Sequence, residues 1–110
     1  MTITTATLHQ RLGITEGQLS AFCQRWNVAK LAFFGSILTD TFTEDSDVDV
    51  LVTYLPNAKR GLLEKLTMQT QFEELVGRKV DLISRKAIES SRNWIRRKHI
   101  LEAARVFYVA

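Results

Sequence analysis

Two aspartates separated by a single residue are the clearest candidates for chemistry in this chain. Asp47 and Asp49 stand at the start of an alternating polar and apolar stretch, which is typical of a β-strand. Side chains two apart on a strand point to the same face, so both carboxylates project together. Adjacent carboxylates repel each other unless a cation or a proton lies between them, and such oxygen ligands favour magnesium or manganese over zinc. The pair therefore predicts a divalent-cation site.

A Gly-Ser pair and a third aspartate complete the candidate site. Gly35 and Ser36 follow an apolar stretch, and a spacer of ten residues separates them from Asp47. Glycine lets the backbone approach a ligand closely, while a serine hydroxyl and the amides at a helix N-terminus suit phosphate oxygens. Asp81 interrupts an apolar strand and would join the pair if the register brings it to the same face. A carboxylate beside a metal can accept a proton from an attacking hydroxyl, so the set suits nucleotidyl transfer.

Hydrophobic spacing and capping signals predict the elements that position these residues. Thr15 and Gln18 form a capping-box pattern, and Gly13 and Gly77 are expected to end helices. The predicted order is helix Thr5 to Leu12, helix Glu16 to about Trp26, strand Val28 to Phe34, a short helix or turn Ile37 to Phe42, strand Val48 to Leu55, a helix ending before Gly77, strand Lys79 to Ser84, a single helix from Ile88 to Leu101, and strand Arg105 to Val109 at a sheet edge. This order predicts one α/β (α+β) domain over residues 1–110, with a small mixed β-sheet and helices mainly on one face.

Several apolar and titratable residues are expected to contribute to the fold or the surface and to take no part in the chemistry. The helix before Gly77 is expected to present one apolar face, formed by Leu62, Leu63, Leu66, Phe72, Leu75 and Val76. Trp26, Trp94 and Phe72 are expected in the core, and Cys23 is expected to be a small buried hydrophobe. His9 and His99 lack partners at ligand spacing and are expected at the surface.

Composition and charge limit the class of protein. The chain has 110 residues with 45% hydrophobic and 25% charged residues, which excludes a disordered or low-complexity protein. Five of its twelve acids fall between Asp40 and Asp49, whereas residues 78–105 carry nine bases against three acids. An acidic loop favours a bound cation, and a basic surface favours an anionic partner or nucleotide. One cysteine excludes an intramolecular disulfide, and the lack of a signal peptide or long apolar run predicts a cytoplasmic protein that does not enter a membrane.

The run LAFFGSILTDTFTEDSDVDVLV followed by GRKVDLIS resembles the minimal nucleotidyltransferases of the DNA polymerase β superfamily. More closely, it resembles the MNT antitoxins that are encoded beside HEPN-type toxins, and the resemblance extends from about Leu19 to Val109. The resemblance implies the nucleotidyltransferase fold. It also implies that Gly35 and Ser36 bind the triphosphate of ATP, that Asp47 and Asp49 hold two Mg²⁺ ions, and that Asp81 completes the metal site and acts as general base.

The same resemblance implies a specific reaction and a partner. Such an antitoxin moves AMP from ATP onto a tyrosine of its HEPN partner, which blocks the ribonuclease activity of that partner, and the two proteins form a stable complex. Relatives often carry an arginine a few residues after the Gly-Ser pair, where this chain has Thr39. A base from elsewhere, such as Lys79 or one from the C-terminal helix, would then have to replace it.

Other interpretations of the same residues stay open at this point. The chain could neutralise a HEPN partner by occlusion alone, with the three aspartates no longer catalytic. Asp47 and Asp49 could be solvated acids at a strand start, and Asp81 a charge that protects a sheet edge. Gly35 and Ser36 could be a turn glycine and a helix cap. Direct nucleic-acid binding ranks last, because the acidic loop would repel a phosphate backbone.

Overall fold

The computed structural model describes residues 3–59 and 61–110. In these two segments the chain forms, in order, α1 (Thr5–Leu12), α2 (Glu16–Arg25), β1 (Val28–Phe34), a 3-10 turn (Gly35–Leu38), β2 (Val48–Tyr54), α3 (Leu62–Val76), β3 (Val80–Ser84), α4 (Arg85–Glu89), α5 (Trp94–Ala103) and β4 (Arg105–Val109). The four predicted strands are confirmed, each within a residue or two of its expected ends.

The strands form one mixed sheet in the order β3-β2-β1-β4. β1 pairs antiparallel with β2 on one side and with β4 on the other, whereas β2 and β3 are parallel. A parallel pair needs a crossover connection, and α3 supplies it between β2 and β3. The predicted mixed sheet is confirmed, and β4 lies at an edge as expected.

Alternating residues of β2 divide the core into two layers. Val48, Val50 and Val52 are buried in the larger cluster, together with apolar residues of α1, α2 and α3. On the other face, Leu51 packs in a smaller cluster with Ile88 of α4 and with Ile100, Phe34 and Ala32. Helices therefore cover both faces, with three of the five on one face, in agreement with the predicted arrangement.

Local capping signals set the ends of the early helices. The Thr15 hydroxyl accepts a hydrogen bond from the Gln18 amide at 3.1 Å, and the Gln18 side chain accepts one from the Thr15 amide at 2.8 Å. This reciprocal pair is the predicted capping box. Gly13 and Gly77 end α1 and α3 in the left-handed conformation that glycine adopts easily, which confirms both predicted caps.

The prediction of one helix from Ile88 to Leu101 is wrong. The segment forms α4 and α5, because polar side chains between them bind backbone groups that a continuous helix would need. The Asn93 side chain accepts from the Arg96 amide at 3.1 Å and so starts α5. The Ser91 hydroxyl accepts from the Asn93 amide at 3.2 Å.

Several residues predicted on the apolar face of a helix or in the core are exposed. Leu62, Leu63 and Leu66 are 75%, 74% and 53% exposed, because α3 buries only its later residues Met68 and Phe72. Trp94 is 60% exposed, since it begins α5 and only Ile100 of that helix is buried.

The two histidines differ from each other. His99 is exposed, as expected. His9 is only partly exposed, and both of its ring nitrogens are buried without a hydrogen-bond partner among the described residues, so the surface prediction is wrong for it. Across the same residues, no helix has the length and apolar character needed to span a membrane.

Cys23 lies on the buried face of α2, and burial raises the pKa of its thiol to about 12. Because the thiolate is the reactive form, we expect a thiol reagent at pH 8 to label the folded protein only as fast as the protein opens. The measurement is labelling followed by absorbance or mass, and the guanidinium-unfolded protein, which should react at once, is the control. Immediate labelling of the folded chain would contradict the buried placement.

Candidate active site

The parallel pairing of β2 with β3 brings two of the predicted aspartates side by side. Asp49 is the register partner of Asp81, and Val48 is the partner of Val80. The ladder starts where the Val48 amide donates to the Lys79 carbonyl at 2.9 Å. Register partners of parallel strands share a face, so the Asp49 and Asp81 side chains lie on the same face of the sheet. Asp47, two residues before Asp49, is exposed and lies immediately before the start of β2.

The end of β1 brings the Gly-Ser pair to the same place. Phe34 is the antiparallel partner of Asp49, so Gly35 follows at the position next to that carboxylate. Gly35 has a φ of 78°, in the left-handed region, and a Cβ atom there would collide with the Asp49 carboxylate oxygen. The position therefore requires glycine for two reasons: its positive backbone angle φ, and the space beside it that the Asp49 carboxylate occupies.

The three aspartates influence each other electrostatically. Burial raises the pKa of Asp49, and the negative charges of Asp81 and then Asp47 raise it further. Within residues 3–59 and 61–110, none of these three carboxylates has a hydrogen-bond or ion-pair partner. The mutual repulsion of these charges would fall if a cation lay among them.

Ser36 lies in the 3-10 turn and is partly buried. Its carbonyl accepts from the Thr39 amide at 2.9 Å and from the Thr39 hydroxyl at 3.0 Å. The Thr39 hydroxyl also lies 2.7 Å from that of Thr41. Thr39 therefore closes the turn, and its side chain brings no positive charge to the site.

A divalent cation such as Mg²⁺ binds oxygen ligands, and carboxylates are the charged oxygen ligands of this site. Among the residues that the structure describes, no group of three or more His, Cys, Asp or Glu side chains is arranged to hold a metal ion by itself. Mg²⁺ is usually bound by one or two carboxylates, with water and substrate phosphates completing its octahedral shell. The carboxylates of Asp49 and its register partner Asp81 are donors of this kind, and water and phosphate oxygens would complete the shell of such an ion.

Sequence reasoning missed two arginines that contact this region. Arg11 on α1 and Arg78 after α3 both donate hydrogen bonds to carbonyls of the segment between Ile37 and Ser46. They are 26 to 35 residues away from these partners along the chain, so no local pattern could have indicated them.

Replacing Asp49 with Asn should stabilise the protein at neutral pH when divalent cations are removed. A carboxyl whose pKa is raised by folding binds its proton more tightly in the folded state, so its contribution to stability is greatest below the unfolded pKa, near 3.9, and is lost as pH rises through the folded pKa. We therefore expect Asp49→Asn to raise the melting temperature at pH 7, and this gain to shrink toward pH 3.

The exposed residue Glu102 on α5 provides a control, since Glu102→Gln also removes one negative charge but lies outside the loop and the strands of the candidate site. The melting temperatures of both variants and of the unmodified protein are measured from pH 3 to 7 in the presence of a chelator. A destabilised Asp49→Asn variant at pH 7 would show that the carboxylates do not strain the folded state.

Two curated relatives of this chain are named as protein adenylyltransferases. Among curated relatives, a Methanocaldococcus jannaschii protein, provisionally named a protein adenylyltransferase, is 35% identical over 66 residues, covering 60% of this chain and 66% of the relative. The protein adenylyltransferase MntA of Thermococcus cleftensis is 33% identical over 69 residues, covering 61% of this chain and 66% of the relative. The matched segment thus spans slightly less than two thirds of the length of these relatives.

Solved structures share the fold. One described provisionally as a minimal nucleotidyltransferase has a TM-score of 0.65 at 26% identity, covering 94% of this chain and 95% of that chain. A toxin-antitoxin structure with AMP-PNP has a TM-score of 0.67 at 13% identity, covering 88% of this chain and 75% of that chain. The MntA-HepT toxin-antitoxin has a TM-score of 0.58 at 11% identity, covering 86% and 70%. At such low identity the last two show the fold alone, which is the predicted one.

The family description of the nucleotidyltransferase domain matches residues 16–107, which is most of the chain. The resemblance drawn from the Gly-Ser pair and the spaced aspartates is confirmed at the level of the family. This chain belongs to the nucleotidyltransferase domain family.

Proposed function

We propose that this chain is a magnesium-dependent protein adenylyltransferase that acts as an antitoxin, transferring AMP from ATP to a tyrosine of a HEPN-type ribonuclease toxin. The observation that carries the proposal is the placement of Asp49 beside Asp81 and against Gly35. The relatives named as protein adenylyltransferases support the reaction class, and a structurally similar toxin-antitoxin with AMP-PNP supports an adenine nucleotide. The partner is expected to be encoded nearby and to form a stable hetero-oligomer in the cytoplasm.

The three aspartates have distinct roles in the proposed reaction. Asp47 and Asp49 would hold Mg²⁺, with two ions expected, and Asp81 would complete the metal site. Bound magnesium would neutralise charge on the triphosphate and make the α-phosphorus more open to attack. Gly35 would let the triphosphate approach the backbone, and the Ser36 hydroxyl would donate to a phosphate oxygen.

The transfer itself exchanges one phosphorus–oxygen bond for another. The tyrosine oxygen forms a bond to the α-phosphorus of ATP, the bond from that phosphorus to the bridging oxygen breaks, and pyrophosphate leaves. The tyrosine proton passes to the Asp81 carboxylate, which acts as general base. Asp81 is exposed, so a side chain of a second protein can reach it.

A second candidate function is neutralisation of the partner by occlusion without transfer. The observation that favours it is Thr39, which stands where relatives often carry an arginine and whose hydroxyl is used within the turn. Occlusion would protect against the partner equally with and without nucleotide. Transfer would protect only when ATP and Mg²⁺ are supplied.

Asp47→Asn together with Asp49→Asn should abolish transfer and leave the fold intact, because both amides keep the shape of the carboxylates but lose their charge. We expect the partner mass to rise by one or more AMP groups with the unmodified chain, ATP and Mg²⁺, and to stay unchanged with the double variant. Intact-protein mass spectrometry measures this, with a sample lacking ATP as control. Equal modification by the double variant would disprove the assigned metal-binding role.

Gly35→Ala should reduce transfer by at least about a hundredfold, since an added methyl group displaces the Asp49 carboxylate. Gly13→Ala is a matched control: Gly13 has a φ of 73°, but a Cβ there meets nothing within 4 Å. Both variants should lose about 1–2 kcal/mol from backbone strain. Initial rates and urea unfolding test this, and equal transfer rates in the two variants would contradict the proposed role of Gly35.

A further inference from the structure

The loop between Thr39 and Asp47 joins the Gly-Ser turn to the first aspartate of the site. It contains Asp40, Glu44 and Asp45, all exposed, and these acids repel one another and the site. Phe42 is its one residue that packs against the core. A loop with so few buried groups needs other contacts to keep one conformation.

Arg11 holds the start of this loop. Its Nη1 atom donates to the Ile37 carbonyl at 2.7 Å and to the Thr39 carbonyl at 2.6 Å. Hydrogen bonds from a charged guanidinium are shorter and stronger than neutral ones. Arg11 therefore ties the turn that contains Ser36 to α1.

Arg78 holds the end of the loop. Its Nη1 atom donates to the Thr43 and Ser46 carbonyls, both at 3.0 Å. Ser46 immediately precedes Asp47, and Arg78 lies three residues before Asp81. The same side chain thus links the backbone beside one site carboxylate to the segment that leads to another.

Phe42 brings the two cations together. The Arg78 guanidinium lies 4.5 Å from the centre of its ring, and that of Arg11 lies 5.4 Å away. Both distances are within the range of cation–π attraction. The three side chains form one cluster, which we call the loop clamp: Arg11, Phe42 and Arg78.

We propose that the loop clamp positions Asp47 and Ser36 for binding of the metal–nucleotide complex, with Arg11 and Arg78 as positioning residues. The inference rests on the proposed function, which it deepens. It explains how an exposed acidic loop keeps Asp47 near Asp49 against the repulsion between them. Both guanidiniums also line the same surface depression as Glu44 of the loop, which places positive charge near that acid.

The test compares Arg78→Ala and Arg11→Ala with Arg92→Ala. Arg92 is exposed and has no hydrogen bond or ion pair among the described residues, and Arg92→Ala changes the net charge by the same amount. Three quantities are measured: exchange of the Ser46 amide, affinity for Mn²⁺–ATP by electron paramagnetic resonance, and melting temperature. The Ser46 amide is informative because it donates to the Thr43 carbonyl, which also binds Arg78.

We expect Arg78→Ala to speed exchange of the Ser46 amide about tenfold and to weaken Mn²⁺–ATP binding by a similar factor. Arg11→Ala should also weaken binding, while Arg92→Ala should leave both quantities unchanged. Added methylguanidine should restore binding to Arg78→Ala, because it can occupy the vacated place. Arg78→Lys should recover only part of the affinity, since an ammonium lacks the planar guanidinium.

Other results would overturn the inference. Binding and exchange in Arg78→Ala equal to those in Arg92→Ala would show that the clamp does not position the loop. Full recovery by Arg78→Lys would show that charge alone matters. If the unmodified protein fails to bind Mn²⁺–ATP, the proposed function fails, and the exchange rates still decide whether Arg78 holds the loop.

Discussion

The repulsion between neighbouring carboxylates is the physical constraint on which this structure depends. Asp49 lies beside Asp81 and two residues after Asp47, and both neighbours raise its pKa in addition to burial. Such an arrangement persists only if the surrounding structure fixes it. Here the sheet does so, because Val48 and Val50, the residues on either side of Asp49 in β2, are fully buried. Moving the carboxylates apart would require removing these valines from the core.

The topology of the sheet brings together three segments that are far apart in the sequence. The start of β2 and the start of β3 meet at one end of the sheet only because these strands are parallel. The end of β1 reaches the same end only because β1 is antiparallel to β2. Gly35 then follows β1 without a side chain that would displace Asp49. If β1 were parallel to β2, or β3 antiparallel to it, one of these segments would lie at the opposite end of the strands.

Local features could be predicted from the sequence, and long-range ones could not. The Thr15 capping box and the strand that carries Asp49 depend on residues a few positions apart, so their signals are complete in the sequence. The register of Asp81 depends on the length and packing of the α3 crossover, which no local pattern sets. The contacts of Arg11 and Arg78 join parts of the chain that are far apart in sequence. The helix from Ile88 was misjudged for another reason: its apolar spacing continues across residues whose side chains bind the backbone instead.

The loss of stability that the candidate site entails is an argument for the proposed nucleotidyl transfer and against occlusion alone. A protein that only covers its partner gains nothing from neighbouring carboxylates, a glycine with a left-handed backbone and an acidic loop that two arginines contact. Each of these features lowers stability or requires compensation elsewhere. They would become useful together in the proposed reaction, in which the negative charges would attract a cation and the glycine would admit a phosphate. Proteins often keep mutually repelling groups of this kind because they serve activity at the expense of stability.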